Sequence, residues 1–421
     1  MSGSRLLQRI ARVLFTLIVL AMLFLFFSND FGLVDIHKAS IVVAVGVDVT
    51  GSGYDVTAQA AVPTPAQGGG KAAYTQVTGS GTTVAEAVDD INAKTGFYPK
   101  LAFCNLIVLG ESCADKDLFT VLDYFYRNDY VPLTALVGMC RGNARELLKK
   151  KPADGGMSSS AIQRAMSEEL KNSANASTVN LKLLAQDRGS ASAAEYMPFI
   201  ESGTAAAGGG GSSEGKSSNG SKSGASSGES GKSGLGGEEE SSEFTCRTTA
   251  VFNGGKFVGV LSEEQAFALN LIRRGVRYAI VNTNSEGLNY TIGLKNTGGG
   301  AKISVNGGKG KLVITFKANA NLQTSESNQA ASGRSDSHLV DDNILNSVTD
   351  TVKECMRSLE AFCRENNCDL FGAAQLLRAF NYDYYKEVKD NVLSDLDIDG
   401  LIIADPGVFR LARRLAPRHD I

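Results

Sequence analysis

Residues 41–62, IVVAVGVDVTGSGYDVTAQAAV, decide the fold of the first half of the chain. The first part, residues 41–48, is apolar and rich in valine, which favours an extended strand. The second part, residues 54–62, alternates apolar and polar side chains at a period of two. Residues 50–53 (TGSG) between them are typical of a turn. The stretch therefore predicts a β-hairpin with one face against a core.

Strands and helices alternate after this hairpin. Residues 101–109 (LAFCNLIVL) are almost continuously apolar, as expected for a strand covered on both faces. Further strands are predicted at residues 73–79 and 133–140. The helices between and after these strands are predicted to begin at the capping-box sequence 83–86 (TVAE), near Leu118 and at a cap formed by Asn143. The first half is thus predicted to be a sheet with helices packed on it.

The second half begins with another predicted hairpin, whose strands at 248–252 and 257–261 flank Asn253-Gly254-Gly255. A helix follows from Ser262. The remaining predicted strands are at residues 278–283, 288–295, 301–306, 311–320 and 396–403, and the remaining helices are at 340–365 and 372–389. We interpret Gly298-Gly299-Gly300 as a turn between two of these strands.

A spacer rich in glycine and serine separates the two halves. Residues 202–242 contain 13 Gly and 13 Ser, with Leu235 as the one large apolar residue. Such a stretch is predicted to be a flexible coil with a span of about 35 Å, serving as a linker or a loop insertion. It divides the body into residues 36–201 and 243–421, and the second part could divide again into 243–300 and 301–405. A strand after the spacer could also complete the first sheet.

The amino terminus carries an apolar block. Residues 13–27, VLFTLIVLAMLFLFF, follow Arg5, Arg9 and Arg12. As a helix the block is about 22 Å long, slightly shorter than a hydrocarbon core of about 30 Å, and Arg12 could extend it by snorkelling. We predict a basic stub inside the cell at 1–12, a transmembrane anchor at 13–30 and an extracytoplasmic body. A cleaved signal peptide is the alternative, but no small-x-small cleavage site follows the block.

The predicted fold class is therefore α+β, with mixed sheets and helices in two or three consecutive domains after one transmembrane helix. The 42 basic and 45 acidic side chains are nearly balanced, which argues against nucleic acid as a partner. Seven cysteines occur without a CxxC pair or a zinc-like spacing to histidine, so we interpret them as buried thiols. The nearest disulfide candidates in sequence are Cys363–Cys368 and Cys355–Cys363, and no disulfide framework is expected.

No constellation of catalytic residues is apparent in the sequence. The chain has no GxxxxGK[ST] phosphate loop, Gly68-Gly69-Gly70 lacks a strand–helix context, and residues 189–193 (GSASA) lack the second glycine of a nucleophile elbow. The other candidate positions are His37, His338, His419, the alternating Asp395, Asp397 and Asp399, and the tyrosines Tyr382, Tyr384 and Tyr385. We interpret the aspartates as a solvated strand face and the tyrosines as helix-packing surface. No catalytic, cofactor-binding or metal-binding residue is predicted.

Several short motifs, taken in order, resemble the Ger(x)C family of spore germination proteins, the C subunits of spore germinant receptors. The resemblance runs from about residue 35 to 404 outside the spacer. The similar segments are 44–48 (AVGVD) with 53–57 (GYDVT), 81–87 (GTTVAEA), 101–111 (LAFCNLIVLGE), 127–128 (RN), 142–148 (GNARELL), the hairpin 252–259 and 369–372 (DLFG). Members usually begin with a lipid-modified Cys followed by Trp-Asp, where this chain has Leu33-Val34-Asp35. The family's late Trp is also absent, since the chain has none.

The resemblance implies a function rather than a reaction. Such C subunits are non-catalytic scaffolds on the outer face of the spore inner membrane. They act with a polytopic A subunit and a transporter-like B subunit when nutrients trigger germination, and the apolar helix of this chain would replace the family's lipid. A cell-envelope hydrolase would need a base and a nucleophile, which the sequence does not supply. An extracytoplasmic solute-binding or cell-envelope adaptor protein remains the alternative function.

Overall fold

A computed structural model gives the structure of the protein. It describes residues 3–28, 39–62, 73–96, 98–172, 174, 177–204, 241–273, 276, 278–325 and 342–404. The helices in this part of the chain are α1 (Gly3–Ser28), α2 (Val84–Thr95), α3 (Leu118–Arg127), α4 (Ala144–Lys149), α5 (Ser158–Asn172), α6 (Leu181–Arg188), α7 (Glu263–Arg273), α8 (Asp342–Glu365), α9 (Ala373–Phe380), α10 (Tyr382–Val388) and α11 (Val392–Asp395).

The described strands form two sheets. They are β1 (Ala39–Thr50), β2 (Gly53–Val62), β3 (Ala73–Gly81), β4 (Tyr98–Lys100), β5 (Leu106–Leu109), β6 (Leu136–Cys140), β7 (Val179–Asn180), β8 (Ala194–Thr204), β9 (Ser242–Asn253), β10 (Lys256–Leu261), β11 (Tyr278–Ser285), β12 (Leu288–Asn306), β13 (Lys309–Ser325) and β14 (Leu396–Ala404). The large sheet has ten strands, eight of them in the order β10-β9-β8-β6-β5-β1-β2-β3, with β4 beside β1 and β7 beside β6. The small sheet has the order β11-β12-β13-β14.

Both sheets are mixed, which confirms the predicted class of mixed sheets packed with helices. In the large sheet β1, β5, β6 and β8 run parallel, and antiparallel strands extend it on both sides. Parallel strands buried on both faces are apolar throughout, as all four residues of β5 are. One core continues across both sheets and includes Val47, Phe125, Leu269 and Phe316. A second cluster around Leu106 and Leu148 lies beneath α4 and α5.

The first predicted hairpin is confirmed. Strands β1 and β2 pair from Ile41–Ala61 to Thr50–Gly53, and the turn consists of Gly51 and Ser52. Helix α2 also begins as predicted, because Thr83 accepts a hydrogen bond from the Glu86 backbone N–H at 3.2 Å. The Glu86 carboxylate reaches the backbone N–H of Thr82 at 2.8 Å, one residue earlier than the capping box requires.

Three predictions about local structure are wrong. Gly298-Gly299-Gly300 does not form a turn but lies inside β12, next to a register shift between Lys295 and Gly298. A side chain at Gly299 would meet the Leu271 carbonyl oxygen at 2.8 Å, so the glycine allows α7 to pack closely on the strand. The predicted helix 372–389 is two helices, since Asn381 leaves helical geometry at φ −148° and ψ 68°. Residues 101–103 form a short 3-10 turn before β5 rather than part of one strand.

Several elements were absent from the sequence-based description, among them α5, α6 and β8. The apolar residues of α5 and α6 are few and irregularly spaced, and α6 buries Leu181 and Leu184 alone. No helix in the portion of the chain that the structure describes is long and apolar enough to cross a membrane. The last two residues of the predicted anchor, 29–30, and Gly68-Gly69-Gly70 lie outside the described residues.

The two ends of the predicted spacer belong to neighbouring strands. Strand β8 continues to Thr204, which pairs directly with Ser242 at the start of β9. Residues 205–241 therefore connect two adjacent antiparallel strands, as the loop of a hairpin does. The strands encoded after the spacer, β9 and β10, complete the sheet that the first half begins. The division of the body at the spacer stays a prediction.

This pairing predicts the effect of removing the spacer. Replacing residues 205–241 by a two-residue Asn-Gly turn should preserve the fold, because the strand ends are already adjacent. Shortening the loop reduces its closure entropy, so the free energy of unfolding should rise by up to about 2–3 kcal/mol. Urea denaturation followed by circular dichroism measures it. A variant with a scrambled spacer of equal length is the control, and loss of β-structure in the shortened protein would contradict the topology.

Candidate functional site

Two groups of residues, each built around a buried carboxylate, bring together the segments that carry the sequence motifs. The first, which we call the Asp48 junction, consists of Asp48, Gly110, Glu111, Gly142 and Ala144. The parallel strands β1, β5 and β6 end here side by side. The second, the hairpin junction, consists of Asp117, Ser192, Glu195, the turn Gly254-Gly255 and Asp369. Neither lies at a position that was predicted to be catalytic or ligand-binding.

In the Asp48 junction, a strand residue caps a distant helix. The Asp48 carboxylate accepts hydrogen bonds from the backbone N–H groups of Ala144 at 2.8 Å and Arg145 at 3.0 Å. These are orphan donors at the start of α4. Asn143 occupies the cap position but its side chain makes no capping hydrogen bond, so the predicted cap is wrong. The reason is that Asp48, on the neighbouring strand, already supplies both acceptors.

The glycines of this junction leave room for the carboxylate. A Cβ at Gly110 would lie 1.9 Å from Asp48 Oδ1, so any side chain there would displace the cap. Gly142 has φ +71° and donates its N–H to the Glu111 carboxylate at 2.9 Å. Burial is the largest influence on Asp48 and raises the pKa of its carboxyl, while the two capping N–H groups lower it. The arrangement is chemically a helix cap, with both carboxylate oxygens occupied.

The hairpin junction begins at the turn between β9 and β10. Gly254 and Gly255 have φ values of +57° and +81°, which side chains disfavour. The Gly254 N–H donates to the Ala193 carbonyl at 2.7 Å, and the Gly255 carbonyl accepts from the Leu118 N–H at 2.8 Å. A Cβ at Gly255 would lie 2.5 Å from an oxygen of Asp117, the residue that caps α3. The turn is thus fixed between the starts of β8 and α3.

Glu195 is the unusual group of this junction. Its side chain is fully buried, and Oε2 accepts from the Gly255 N–H at 3.1 Å. Oε1 has no hydrogen-bond partner and lies 4.0 Å from Arg188 Nη1. Arg188 is half-exposed and its guanidinium stacks over the Phe119 ring at 5.1 Å. Burial raises the pKa of Glu195 to about 7, against the smaller opposing effects of the Gly255 N–H and Arg188.

Asp369 connects the late helices to the same junction. Its buried carboxylate accepts from the Ser192 hydroxyl at 2.6 Å and from the Ala373 and Ala374 N–H groups at 3.0 and 2.7 Å. It therefore caps α9 and holds the segment before β8 at the same time. The Asn253 side chain donates to the Asn367 carbonyl at 2.9 Å, which joins the hairpin turn to the segment before Asp369.

The candidate positions identified in the sequence are distributed over unrelated places. The Ser190 hydroxyl donates to the Asp187 carbonyl, and the Ser192 hydroxyl donates to the Asp369 carboxylate. The histidines His37, His338 and His419 lie outside the described residues. Asp397 is exposed on β14, while the side chains of Asp395 and Asp399 are not described. Tyr384 is buried and accepts a hydrogen bond from the Gly310 N–H at 3.0 Å, so it packs between α10 and the small sheet.

The cysteines are buried, and the potential metal ligands that the structure describes do not cluster. All seven cysteines are buried free thiols, as the sequence predicted. Burial raises the pKa of Cys368 to about 12, so this thiol is un-ionised at neutral pH. Within the described ranges, no group of three or more His, Cys, Asp or Glu side chains is placed to hold a metal ion.

The Asp48 junction should contribute strongly to stability. The substitution Asp48→Ala leaves two buried N–H groups of α4 without an acceptor and should lower the free energy of unfolding by about 2–3 kcal/mol. Asp89→Ala, at an exposed position on α2, is the matched control. Urea denaturation measures both variants. Equal stability of the two variants would show that the cap is unimportant.

Glu195 should make stability depend on pH. Its pKa is about 7 in the folded protein against 4.5 in the unfolded chain, so the unfolded chain releases its proton first. The free energy of unfolding should therefore fall by roughly 3 kcal/mol as the pH rises from about 4.5 to about 7. Glu195→Gln should remove that decrease, whereas Glu387→Gln, at an exposed position, should keep it. An unchanged slope in the Glu195→Gln protein would contradict the assignment.

Comparison with known proteins gives two matches to family models. Residues 33–202 match the model described as the spore germination protein N-terminal domain. Residues 247–400 match the model described as spore germination B3/GerAC like, C-terminal. No curated protein sequence matches the chain significantly. A solved structure described as the crystal structure of the GerBC protein is 17% identical with a TM-score of 0.45, over 88% of this chain and 99% of that chain.

Proposed function

Because the chain belongs to the Ger(x)C family of spore germination proteins, we propose that it is a non-catalytic, membrane-anchored subunit of a nutrient germinant receptor. The observation that carries this proposal is the pair of family matches, which occur in order at residues 33–202 and 247–400 and leave out the spacer. Proteins of this family belong to germinant receptor complexes. The partners of this chain would be a polytopic A subunit and a transporter-like B subunit.

The non-catalytic part of the proposal is supported by the way the junctions use their reactive groups. The carboxylate oxygens of Asp48 and Asp369 accept hydrogen bonds from backbone N–H groups at the starts of helices. The thiols of Cys104, Cys113 and Cys368 have pKa values raised to about 12 by burial, which leaves them weak nucleophiles. These groups therefore stabilise the fold, which suits a subunit that acts by binding its partners.

The proposed anchor is helix α1, with its amino terminus inside and the body on the outer face of the spore inner membrane. The side chains described for its apolar part are exposed, with Phe15 at 68%, Met22 at 72% and Phe24 at 73%. A continuous apolar helix surface of this kind is stable in lipid or against another protein and unfavourable in water. The arginines that precede it in sequence favour insertion with the amino terminus inside.

Removing the anchor tests the topology. Deleting residues 1–30 should move the protein from the membrane fraction to the soluble fraction when it is expressed without other receptor subunits. Flotation of vesicles on a density gradient measures the distribution. The matched control replaces the spacer residues 205–241 by Asn-Gly and keeps α1, and it should remain with the membrane. Continued flotation of the truncated chain without partners would refute the anchor.

Germination of spores tests the function itself. Spores that lack this gene should lose or slow their response to at least one nutrient, while germination by a treatment that bypasses nutrient receptors stays normal. Release of dipicolinic acid measures the response. Normal germination of the mutant on every nutrient would contradict the proposal. Failure of the bypass treatment as well would indicate a general defect of the envelope instead of a receptor function.

A further inference from the structure

Five of the large apolar side chains that are exposed outside α1 gather at the end of the large sheet where its parallel strands β1, β5 and β6 begin. We call this set the apolar edge; its members are Ile41, Tyr98, Phe103, Tyr130 and Leu133. The side chain of Tyr130 is 70% exposed and that of Phe103 is 57% exposed, so neither belongs to the core of the protein. The other exposed large apolar residues among those described lie on different elements: Val260, Ile280, Phe380 and Tyr382.

Backbone pairing brings the first three residues of this set together. Strand β4 runs parallel to β1 with Tyr98 beside Ala39 and Lys100 beside Ile41. The short 3-10 turn that follows β4 ends at Phe103. Two residues later, the Asn105 N–H donates to the Val43 carbonyl at 3.0 Å, which holds this segment beside β1. Ile41, Tyr98 and Phe103 therefore all lie at the amino-terminal end of β1.

The other two residues lie along the same edge. The Leu136 N–H donates to the Asn105 carbonyl at 2.9 Å, so the segment before β6 lies beside the segment before β5. This segment contains Tyr130 and Leu133. The Asn128 side chain also hydrogen-bonds to the Tyr124 hydroxyl at 3.1 Å, and Tyr98 is close enough to raise the pKa of Tyr124, although burial is the larger cause.

The path of the chain leads from this edge to α1. Helix α1 ends at Ser28 and β1 begins at Ala39, beside Tyr98. The intervening residues 29–38 can span about 35 Å when fully extended, and less in any other conformation. The amino-terminal end of β1 is thus the part of the body that is tied most closely to the helix.

We propose that the apolar edge rests in the headgroup layer of the bilayer in which α1 is the proposed anchor. This inference depends on the proposed anchor and adds to it a defined orientation of the body. Three of the five residues are aromatic, and aromatic rings favour the membrane–water interface. Lys100 on β4 and the exposed Lys182 suit anionic headgroups, and the Lys182 N–H donates to the Leu133 carbonyl at 3.0 Å. The exposed acids nearby are Asp129 and, on α2, Asp89.

The absence of tryptophan from the chain permits a direct test. The variants Phe103→Trp and Tyr130→Trp each place the one tryptophan of the protein at the apolar edge, and Phe380→Trp places it at a distant helix end that is 78% exposed. Each full-length variant is reconstituted into vesicles of phosphatidylcholine and phosphatidylglycerol, with or without brominated acyl chains. Flotation first establishes that the protein is anchored, and tryptophan emission is then recorded.

The edge variants should show blue-shifted emission that brominated lipid quenches, and Phe380→Trp should show neither effect. If the protein floats with the vesicles but the edge variants are unquenched and unshifted, the orientation is wrong while the anchor stands. Blue-shifted emission without quenching would mean that protein, such as a second copy, covers the edge, which also overturns the proposal. Equal quenching of Phe380→Trp would remove the specificity claimed for this edge. If the protein does not float, the proposed anchor fails and this inference fails with it.

Discussion

The antiparallel ladder between β8 and β9 is the interaction on which the rest of the structure depends. It runs from Ala194–Asn253 to Thr204–Ser242 and joins strands that the spacer separates in sequence. Without it, the unpaired edge of β8 would be exposed, and β9 and β10 would have no sheet to complete. Unpaired backbone groups in a buried strand are costly, so the ladder joins β9 and β10 of the second family region to the sheet that the first region begins. The 37-residue interval is then a loop whose length has little influence on the fold.

The carboxylates of the two junctions then fix the elements around this sheet. Asp48 caps a helix that begins 96 residues further along the chain, and Asp369 caps α9 while it binds Ser192, 177 residues earlier. Glu195 differs from both because one of its oxygens lacks a partner. Its raised pKa follows from that incomplete solvation, since burial disfavours the charged form. The hairpin turn is thus joined to both family regions, and Glu195 makes the stability of the protein depend on pH between about 4.5 and 7.

Patterns that are local in sequence predicted local structure well. The alternation in residues 54–62, the helix predicted to begin near Leu118 and the long helix predicted at 340–365 each correspond to an observed element. The errors have a common physical origin, which is that the decisive partner is distant in sequence. Gly298–Gly300 resemble a turn because the close approach of α7 is not visible locally. Asn143 resembles a cap because the competing acceptor is on β1. Glu195 gave no signal, since burial of a single carboxylate is a tertiary property.

The proposed function rests on family membership, and the structure adds a physical basis for one hydrogen-bonded sheet across the spacer. The central claim is that strands on both sides of the spacer form a single body. Producing residues 1–204 as one polypeptide, and residues 242–421 fused behind their own copy of residues 1–38 as a second, in spores that lack the intact gene tests it most directly. The account predicts that the two pieces copurify from the membrane fraction and together restore nutrient-triggered germination, while either piece alone does not. Accumulation of both pieces without copurification would contradict it.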